Sequence, residues 1–297
     1  MSVEKNNKKL IVILGPTATG KTKFAVDLAQ KFNGEIISAD SRQVYKNLNI
    51  GTGKDLKEYK KIKYNLINIV NPDKNFTVAK YKKLALKKIN NIIKKNKIPF
   101  LVGGTGLYIS SIVDNYDIPK IASIKIKNKI NKLSNISKIN LLKKLDPACL
   151  KFVAVDNPRR LDRALEVCMS GQKFSATRKK GKPLFDILQI GLILQREKLN
   201  RKIDSRVDQM IKSGLVNETK KIIKEFGTNS IPLQTIGYAE IMNFLQKKTD
   251  LPETVKLVKL HTHQFAKRQM TWFKRDKNIH WIKNKADAEK MIKKFLK

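Results

Sequence analysis

The stretch "GPTATGKT" at residues 15–22 has the residue types and spacing of a phosphate-binding loop, G-x-x-x-x-G-K-[ST]. Glycines let the backbone turn tightly and point its N–H groups inward, and a helix starting here would add its positive end. Lys21 would add a positive charge, and the Thr22 hydroxyl is suited to bind Mg²⁺. The candidate phosphate ligands are Gly15, Pro16, Thr17, Ala18, Thr19, Gly20, Lys21 and Thr22. The alternative is a tight turn without a ligand.

A second candidate lies in "SADSRQVY", where Asp40 follows a short apolar run. A carboxylate at this place could act as a general base, or could hold Mg²⁺ through water. Arg42 and Gln43 could form hydrogen bonds with a base or a phosphate. The alternative is that an Asp or Ser here only caps the N-terminus of a helix, a position that both residue types favour.

A third glycine turn occurs in "LVGGTGLYISSIV". Gly103 and Gly104 permit close approach of a backbone to a ligand, and Thr105 and Tyr108 can offer a hydroxyl and a stacking face. On its own the pattern is equally compatible with a turn that has no function. Together, the three loops favour a site that activates a nucleophile against a phosphorylated substrate. The spacing leaves open whether a phosphoryl group is transferred or a whole pyrophosphate is displaced.

Short apolar runs that alternate with amphipathic patterns must position these loops. We predict strands at residues 9–14, "GEIISAD", "KYNLINIV", "IPFLVG" and "FDILQIGLILQ", with helices between them and a helical remainder after the last strand. This alternation implies parallel βαβ units, so we expect an α/β fold, a P-loop NTPase-like parallel sheet with flanking helices and a helical insertion domain. Ligands of such sheets bind at the carboxyl edge of the strands, where the three loops would meet.

The chain is predicted to divide into two parts. Residues 1–114 and 187–297 would form the α/β core with C-terminal helices, and residues 115–186 a basic helical insertion. The two cysteines, Cys149 and Cys168, are too few for a disulfide framework or a four-ligand zinc site, so we expect buried thiols.

The formal net charge of +38 over 297 residues favours a polyanionic partner, either nucleic acid or an anionic membrane surface. Part of the lysine excess reflects the Lys-, Asn- and Ile-rich composition of the whole chain. No apolar segment reaches the roughly 18–20 residues that span a bilayer, and the polar start "MSVEKNNKKL" has no signal-peptide pattern. We therefore expect a soluble protein of the cytoplasm.

Several motifs together resemble one family, the bacterial tRNA dimethylallyltransferases, also called tRNA isopentenyltransferases or IPP transferases. In the order of that family the chain contains "GPTATGKT", "DSRQVY", "VGGTGLY", "NPRRLDRALEV", "GLVNET", "QTIGYAEI" and "FAKRQMTWF". The resemblance runs from residue 11 to about residue 276. Two rivals remain from the residues alone, a P-loop small-molecule or nucleoside kinase and a non-catalytic RNA-binding protein.

The resemblance implies that the loop holds the pyrophosphate of dimethylallyl diphosphate, with Mg²⁺ as cofactor. The dimethylallyl group would pass to the exocyclic amine of the adenosine just 3′ of the anticodon, in tRNAs that read codons beginning with U. This adenosine would be flipped out of the anticodon loop into a channel, as chemistry on a base requires. The family is usually monomeric, and binding of the anticodon stem-loop should weaken steeply with salt.

The resemblance also assigns roles to residues. Asp40 would be the general base, Thr105 would lie near the target nucleotide, and Arg206 would face the pyrophosphate, although Arg206 could also be a surface arginine. The N–H groups from Thr17 to Thr22, with Lys21 and Mg²⁺, would neutralise the leaving group. The implied tRNA-binding residues are Asp40, Ser41, Arg42, Gln43, Thr105, Lys127, Arg159, Arg160, Leu161, Asp162 and Arg163.

The sequence departs from the family at two places, one among these residues and one in the last motif region. Arg159-Arg160 stands where Gln-Arg is usual, which puts any hydrogen bond that needs an amide in doubt. His263 stands where an arginine is common, so one charge contact is weakened. Trp272 of the last motif is predicted to lie in the core.

Overall fold

The computed structural model describes residues 8–54, 56–119 and 122–297. The polar start of the chain, residues 1–7, lies outside the described residues. The chain forms two compact units: the first consists of the part up to Val113 together with Leu184–Lys297, and the second is Asp114–Pro183. Each unit is described by itself below.

The first unit is built on a parallel sheet of six strands in the order β3-β2-β4-β1-β5-β6. The strands are β1 Lys9–Leu14, β2 Gly34–Ser38, β3 Tyr64–Asn65, β4 Ile98–Gly103, β5 Asp186–Leu192 and β6 Ile279–Ile282. β1 lies between β4 and β5, so the loop that follows β1 leaves from the middle of the carboxyl edge.

The helices are numbered in chain order. They are α1 Lys21–Lys31, α2 Val78–Ile93, α3 Gly106–Val113, α4 Ile124–Asn131, α5 Asn135–Leu145, α6 Pro158–Met169, α7 Arg196–Lys212, α8 Leu215–Phe226, α9 Tyr238–Leu245, α10 Leu251–Phe273 and α11 Lys285–Leu296. Short 3₁₀ helices occur at Leu56–Tyr59, Pro147–Lys151, Phe174–Arg178 and Ile231–Gln234. Within the described part of the chain, none of these helices combines the length and apolar character needed to cross a membrane.

Both faces of the sheet are buried, as expected when helices cover a parallel sheet on each side. Along β1, Leu10, Val12 and Leu14 belong to one core cluster, which also contains residues of α2 and α3. Ile11 and Ile13 belong to the opposite cluster, with residues of α1 and α11. The alternation of side chains along a strand therefore fixes β1 from both sides, and with it the start of the loop that follows.

A third core cluster supports the segment after Asp40. Val44, Tyr45 and Leu48 of this segment pack with apolar residues of α8 and α9, among them Leu215 and Tyr238. The described residues 40–54 of this segment form no regular strand or helix, so its position depends on this packing.

The second unit contains α4, α5 and α6 around its own core, in which Leu142, Cys149 and Leu161 are fully buried. Both cysteines are buried free thiols. The unit ends at Pro183, and Phe185 already packs into the core of the sheet.

Two strand predictions need correction. The segment after β5 was expected to be helical throughout, yet Ile279–Ile282 forms the edge strand β6. Its four residues lie between charged runs and are too few to show a strand pattern. β3 has two residues instead of the eight of "KYNLINIV", because Leu66 and Asn68 have positive φ angles of 64° and 55° and end the extended conformation.

Candidate active site

The phosphate loop joins β1 to α1 at the middle of the sheet edge. Gly15 has φ 146° and passes so close to β5 that a Cβ there would lie 2.6 Å from the carbonyl oxygen of Leu192. Gly20 has φ 82° and caps α1 without a side chain, so the first N–H groups of the helix face the space in front of it. Such a helix N-terminus attracts anions.

The loop is braced by its own carbonyl groups and by α10. Pro16 accepts hydrogen bonds from Thr19 Oγ1, at 2.9 Å, and from Lys21 Nζ. The Thr17 N–H donates to Gln269 Oε1 at 2.8 Å. The expectation that the Thr17 N–H serves as a phosphate ligand therefore needs correction, since α10 already satisfies this group. Thr17 instead presents its hydroxyl, which accepts a hydrogen bond from Arg206 Nη1 at 3.3 Å.

Gln269 is a central residue that the sequence interpretation did not single out, although it lies in the quoted "FAKRQMTWF". Besides accepting from Thr17, it donates from Nε2 to the Gly104 carbonyl oxygen at 2.8 Å. A Cβ on Gly104 would lie 2.3 Å from that nitrogen, so this close contact requires glycine. One buried amide thus joins the phosphate loop after β1 to the glycine turn after β4.

Asp40 lies two residues beyond the end of β2, and the alternative role as a helix N-cap is not observed, because residues 41–44 form turns and no helix follows in the described segment up to residue 54. Its Oδ1 accepts hydrogen bonds from the N–H groups of Arg42 at 2.8 Å and Gln43 at 3.2 Å. Oδ2 accepts no hydrogen bond from any residue that the structure describes. One oxygen therefore fixes the carboxylate while the other remains able to receive a proton.

Thr105 ties the glycine turn to the segment of Asp40. Its Oγ1 accepts from the Ser41 N–H at 3.0 Å and donates to Ser41 Oγ at 3.3 Å, and its own N–H donates to Ala39 O at 3.1 Å. The expected ligand role of Tyr108 is wrong. Its ring is buried and stacks on Tyr81 with 3.9 Å between ring centroids.

Arg206 projects from α7 into the loop region and is not a surface arginine. Its Nη2 donates to the carbonyl oxygens of Thr52 at 3.5 Å and Gly53 at 3.4 Å, in addition to the Thr17 contact. A Cβ on Gly53 would overlap the guanidinium, so glycine is needed here too. Burial lowers the pKa of Arg206, while the Asp40 carboxylate acts in the opposite direction.

The ammonium of Lys21 is destabilised in the absence of an anion. Burial, and to a lesser extent the nearby Arg206 charge, lower its pKa from 10.5 to about 7 against the opposing effect of Asp40. Two cations thus lie close together in front of the helix N-terminus. A bound anion with more than one negative charge would relieve this repulsion.

Two cavities meet at this cluster. A cavity of about 850 Å³ is lined by the phosphate loop and, at its rim, by Lys198, Arg201 and Lys202 of α7. A second cavity of about 470 Å³ is lined by Thr105 and by the side chains of Arg268 and Trp272. The residues common to both cavities are Thr17, Ala18, Asp40, Thr52, Gly104, Arg206, Met210, Phe265 and Gln269. Asp40 and Arg206 can therefore contact a molecule in either cavity.

Trp272 contradicts its sequence prediction. It was expected in the core, but 38% of its surface is exposed, and it lines the second cavity.

Glu218 of α8, in the motif "GLVNET", is a second residue whose importance was missed. Its carboxylate accepts N–H groups of three successive residues, Asn49 at 2.8 Å, Ile50 at 2.9 Å and Gly51 at 3.1 Å. It also accepts the Tyr238 hydroxyl at 2.6 Å. This carboxylate holds the segment whose next two carbonyl groups bind Arg206.

The remaining predicted residues lie in the second unit. Lys127 is on α4, and Arg159 and Arg160 are exposed at the start of α6. Asp162 pairs with Lys138 at 2.7 Å, and Arg163 with Glu166 at 2.8 Å. The side chain of Leu161 is fully buried in the helical core, so its assignment as a tRNA-binding residue has to be withdrawn.

For a metal ion, the described residues contain no group of three or more His, Cys, Asp or Glu side chains. Thr22 and Asp40 line the larger cavity, which gives one hydroxyl and one carboxylate. Such a small set of protein donors suits Mg²⁺, which usually takes its other ligands from phosphates and water.

The fold and site define a class, a parallel α/β protein with a phosphate loop whose pocket opens into a second cavity. A model of the IPP transferase family matches residues 43–276 of the chain. The tRNA dimethylallyltransferase of Acetivibrio thermocellus is 40% identical over 300 residues, which cover 97% of this chain and 96% of the relative. That of Fusobacterium nucleatum is 42% identical over 292 residues, with 97% and 96% coverage.

Solved structures indicate the same family. The tRNA isopentenylpyrophosphate transferase of Bacillus halodurans matches with a TM-score of 0.75 at 33% identity, and the match covers 98% of this chain and 97% of the Bacillus chain. A eukaryotic dimethylallyltransferase captured acting on tRNA has a TM-score of 0.82 at 29% identity, covering 93% of this chain and 74% of its own. The chain therefore belongs to the IPP transferase family, and the predicted family and fold class are confirmed.

The pKa of Lys21 leads to a prediction about pH. With a pKa of about 7, this lysine is largely neutral at pH 8 in the free protein, and a bound anion restores its proton. Binding of inorganic diphosphate at pH 8 should take up close to one proton, and its affinity should fall as pH rises above about 7. Calorimetry in buffers of different ionisation enthalpy measures the uptake.

Lys21→Met is the variant that tests this assignment, and Lys23→Met, which removes an exposed neighbouring charge, is the control. Any proton gained or lost by diphosphate itself is the same for the wild type and both variants, so it cancels in the comparison. Equal proton uptake by Lys21→Met and the wild type would contradict the assignment of the proton to Lys21.

The hydrogen bonds of Glu218 lead to a second prediction. Glu218→Gln keeps the shape but offers one acceptor oxygen to four donors, so the free energy of unfolding should fall by about 2 kcal/mol. Amide exchange in residues 49–53 should become faster, and diphosphate should bind more weakly because Arg206 loses its support. Exchange mass spectrometry and calorimetry measure both effects.

The matched control is Glu225→Gln on the same helix, since Glu225 contacts Asn47 of the same segment only at 3.5 Å and at the surface. If both variants exchanged and bound alike, the positioning role of Glu218 would be refuted.

Proposed function

We propose that this protein transfers the dimethylallyl group of dimethylallyl diphosphate to the exocyclic amine of an adenosine in tRNA, just 3′ of the anticodon, with release of diphosphate. The observation that carries the proposal is the position of Asp40 where the two cavities join. The diphosphate would lie in the cavity of the phosphate loop, and the adenosine would enter through the cavity of Thr105. The tRNAs involved would be those that read codons beginning with U.

The reaction requires one bond to form and one to break. The adenine amine nitrogen attacks the first carbon of the dimethylallyl group, and the bond from this carbon to the diphosphate oxygen breaks. The proton lost by the amine goes to Asp40, whose Oδ2 is not engaged by the described residues. The diphosphate leaves with the bonding electrons, and its charge is neutralised by Lys21, Arg206 and the N-terminus of α1.

The fixed geometry of Asp40 supports its role as general base. Two N–H groups bind Oδ1 and restrain the side chain, so little conformational freedom is lost when the substrate binds. Thr105, tied to Ser41, would contact the ribose or base of the same nucleotide.

Magnesium is part of the proposal. Thr22 would bind the ion, and oxygens of the substrate diphosphate and water would be its other ligands. When bound, the ion would add charge neutralisation at the leaving group.

The RNA would be held chiefly by positive charge. The exposed Arg159 and Arg160 on α6, with Lys127 on α4, would contact phosphates of the anticodon stem. In the first unit, Asp40, Ser41, Arg42, Gln43 and Thr105 would surround the acceptor nucleotide. A monomer acting in the cytoplasm is part of the same proposal.

A direct assay tests the activity against its rivals. The protein is incubated with unmodified tRNA and labelled dimethylallyl diphosphate, and in parallel with ATP in place of the diphosphate. Label on the tRNA supports the proposal. ATP turnover without labelled tRNA would indicate a kinase, and RNA binding without either reaction would indicate a non-catalytic protein.

Asp40→Asn tests the mechanism more sharply than alanine does, because the amide oxygen can still accept from Arg42 and Gln43. The variant cannot take up the proton, so kcat should fall by about 10² or more, while tRNA affinity stays within severalfold. Single-turnover transfer and filter binding measure the two quantities. Wild-type kcat with weakened tRNA binding would contradict the assignment of Asp40 as general base.

A further inference from the structure

One face of α10 presents two exposed aromatic side chains at the site. Phe265, Arg268, Gln269 and Trp272 follow one another at intervals of three, one and three residues, which places them on one side of the helix. Gln269 points to the phosphate loop and fixes the rotation of the helix. Phe265 and Trp272 are 37% and 38% exposed, and both line the second cavity.

The indole of Trp272 is held in a defined orientation although it is exposed. Its Nε1 donates to Ser110 Oγ at 3.4 Å. Its five-membered ring lies against Gly106, where a Cβ would come within 2.4–2.7 Å of three ring atoms. Gly106 directly follows Thr105, so the ring is fixed beside the residue proposed to contact the acceptor nucleotide.

We propose that Trp272 is a stacking platform for the unpaired nucleobase next to the acceptor adenosine. The inference rests on the proposed function. Unpaired RNA bases bind by stacking on aromatic rings and arginine planes, and the exposed Arg268 lies one helical turn before Trp272. Removing the acceptor base from the loop leaves a neighbouring base without its stacking partner. A ring that is already immobilised can replace this partner at small entropic cost.

The apolar tail of dimethylallyl diphosphate is the competing occupant. Phe265 lines both cavities and can contact a molecule from the diphosphate side. Trp272 lines only the second cavity, with Thr105, Gly106 and Arg268. The geometry therefore assigns Trp272 to the RNA, and the two substrates give separate kinetic signatures.

Fluorescence provides the first test. The chain has two tryptophans, so Trp281→Phe leaves Trp272 as the only one. Its emission should fall and saturate as an anticodon stem-loop RNA is added. A blunt-ended RNA duplex, which has the same number of phosphates but no unpaired bases, should leave it unchanged. Stem-loops with an abasic nucleotide on the 5′ or the 3′ side of the acceptor identify the stacked base, and an effect of neither would overturn the proposal.

Kinetics provides the second test. Trp272→Ala should raise KM for tRNA about tenfold, with KM for dimethylallyl diphosphate and kcat within about twofold, whereas Trp272→Phe should retain most of the tRNA affinity. The control Leu260→Ala removes an exposed apolar side chain of the same helix that lines neither cavity. An unchanged KM for tRNA, or an increase in KM for dimethylallyl diphosphate instead, would overturn the proposal.

The two hypotheses fail differently. If the wild-type protein transfers no dimethylallyl group to tRNA, the proposed function fails. If it transfers the group normally and Trp272→Ala behaves like Leu260→Ala, only the stacking role fails. The fluorescence measurement on Trp281→Phe retains Trp272, so it decides the question even if Trp272→Ala does not fold.

Discussion

The burial of two neighbouring cations, Lys21 and Arg206, is the constraint on which the site depends. Both cations are partly withdrawn from water, and each is stabilised mainly by neutral carbonyl groups and by the Asp40 charge. A protein holds two such groups together only if the surrounding fold keeps them there. Here the strand β1, the helix α7 and the segment anchored by Glu218 supply that restraint, and the proposed diphosphate would supply the missing negative charge.

The same restraint explains why residues distant in sequence meet at the phosphate loop. Gln269 bonds Thr17 across 252 positions and Gly104 across 165, and Glu218 bonds Asn49 across 169. Each contact joins a side chain of α8 or α10 to a loop that follows a strand at the carboxyl edge of the sheet. None of these loops has regular structure of its own, so the side chains from α8 and α10 set the distances within the site.

The sequence predicted the features that depend on local chemistry. The strand, glycine loop and helix from Lys9 to Lys31 follow from a short apolar run and the G-x-x-x-x-G-K-[ST] spacing, and Asp40 follows from the end of the next strand. Gln269 and Glu218 were missed because their partners are remote and ordinary backbone groups. Trp272 was assigned wrongly because helical periodicity shows which residues share a face, but not whether another element covers that face.

The position of Asp40 explains how one carboxylate can both hold a turn and serve the proposed role as general base. A carboxylate that is free to rotate would present a given oxygen to the second cavity only part of the time. Hydrogen bonds from Arg42 and Gln43 to Oδ1 restrict this rotation. The turn contacts that make Asp40 look structural thus leave Oδ2 unengaged by the described residues, which is what the proposed role as general base requires.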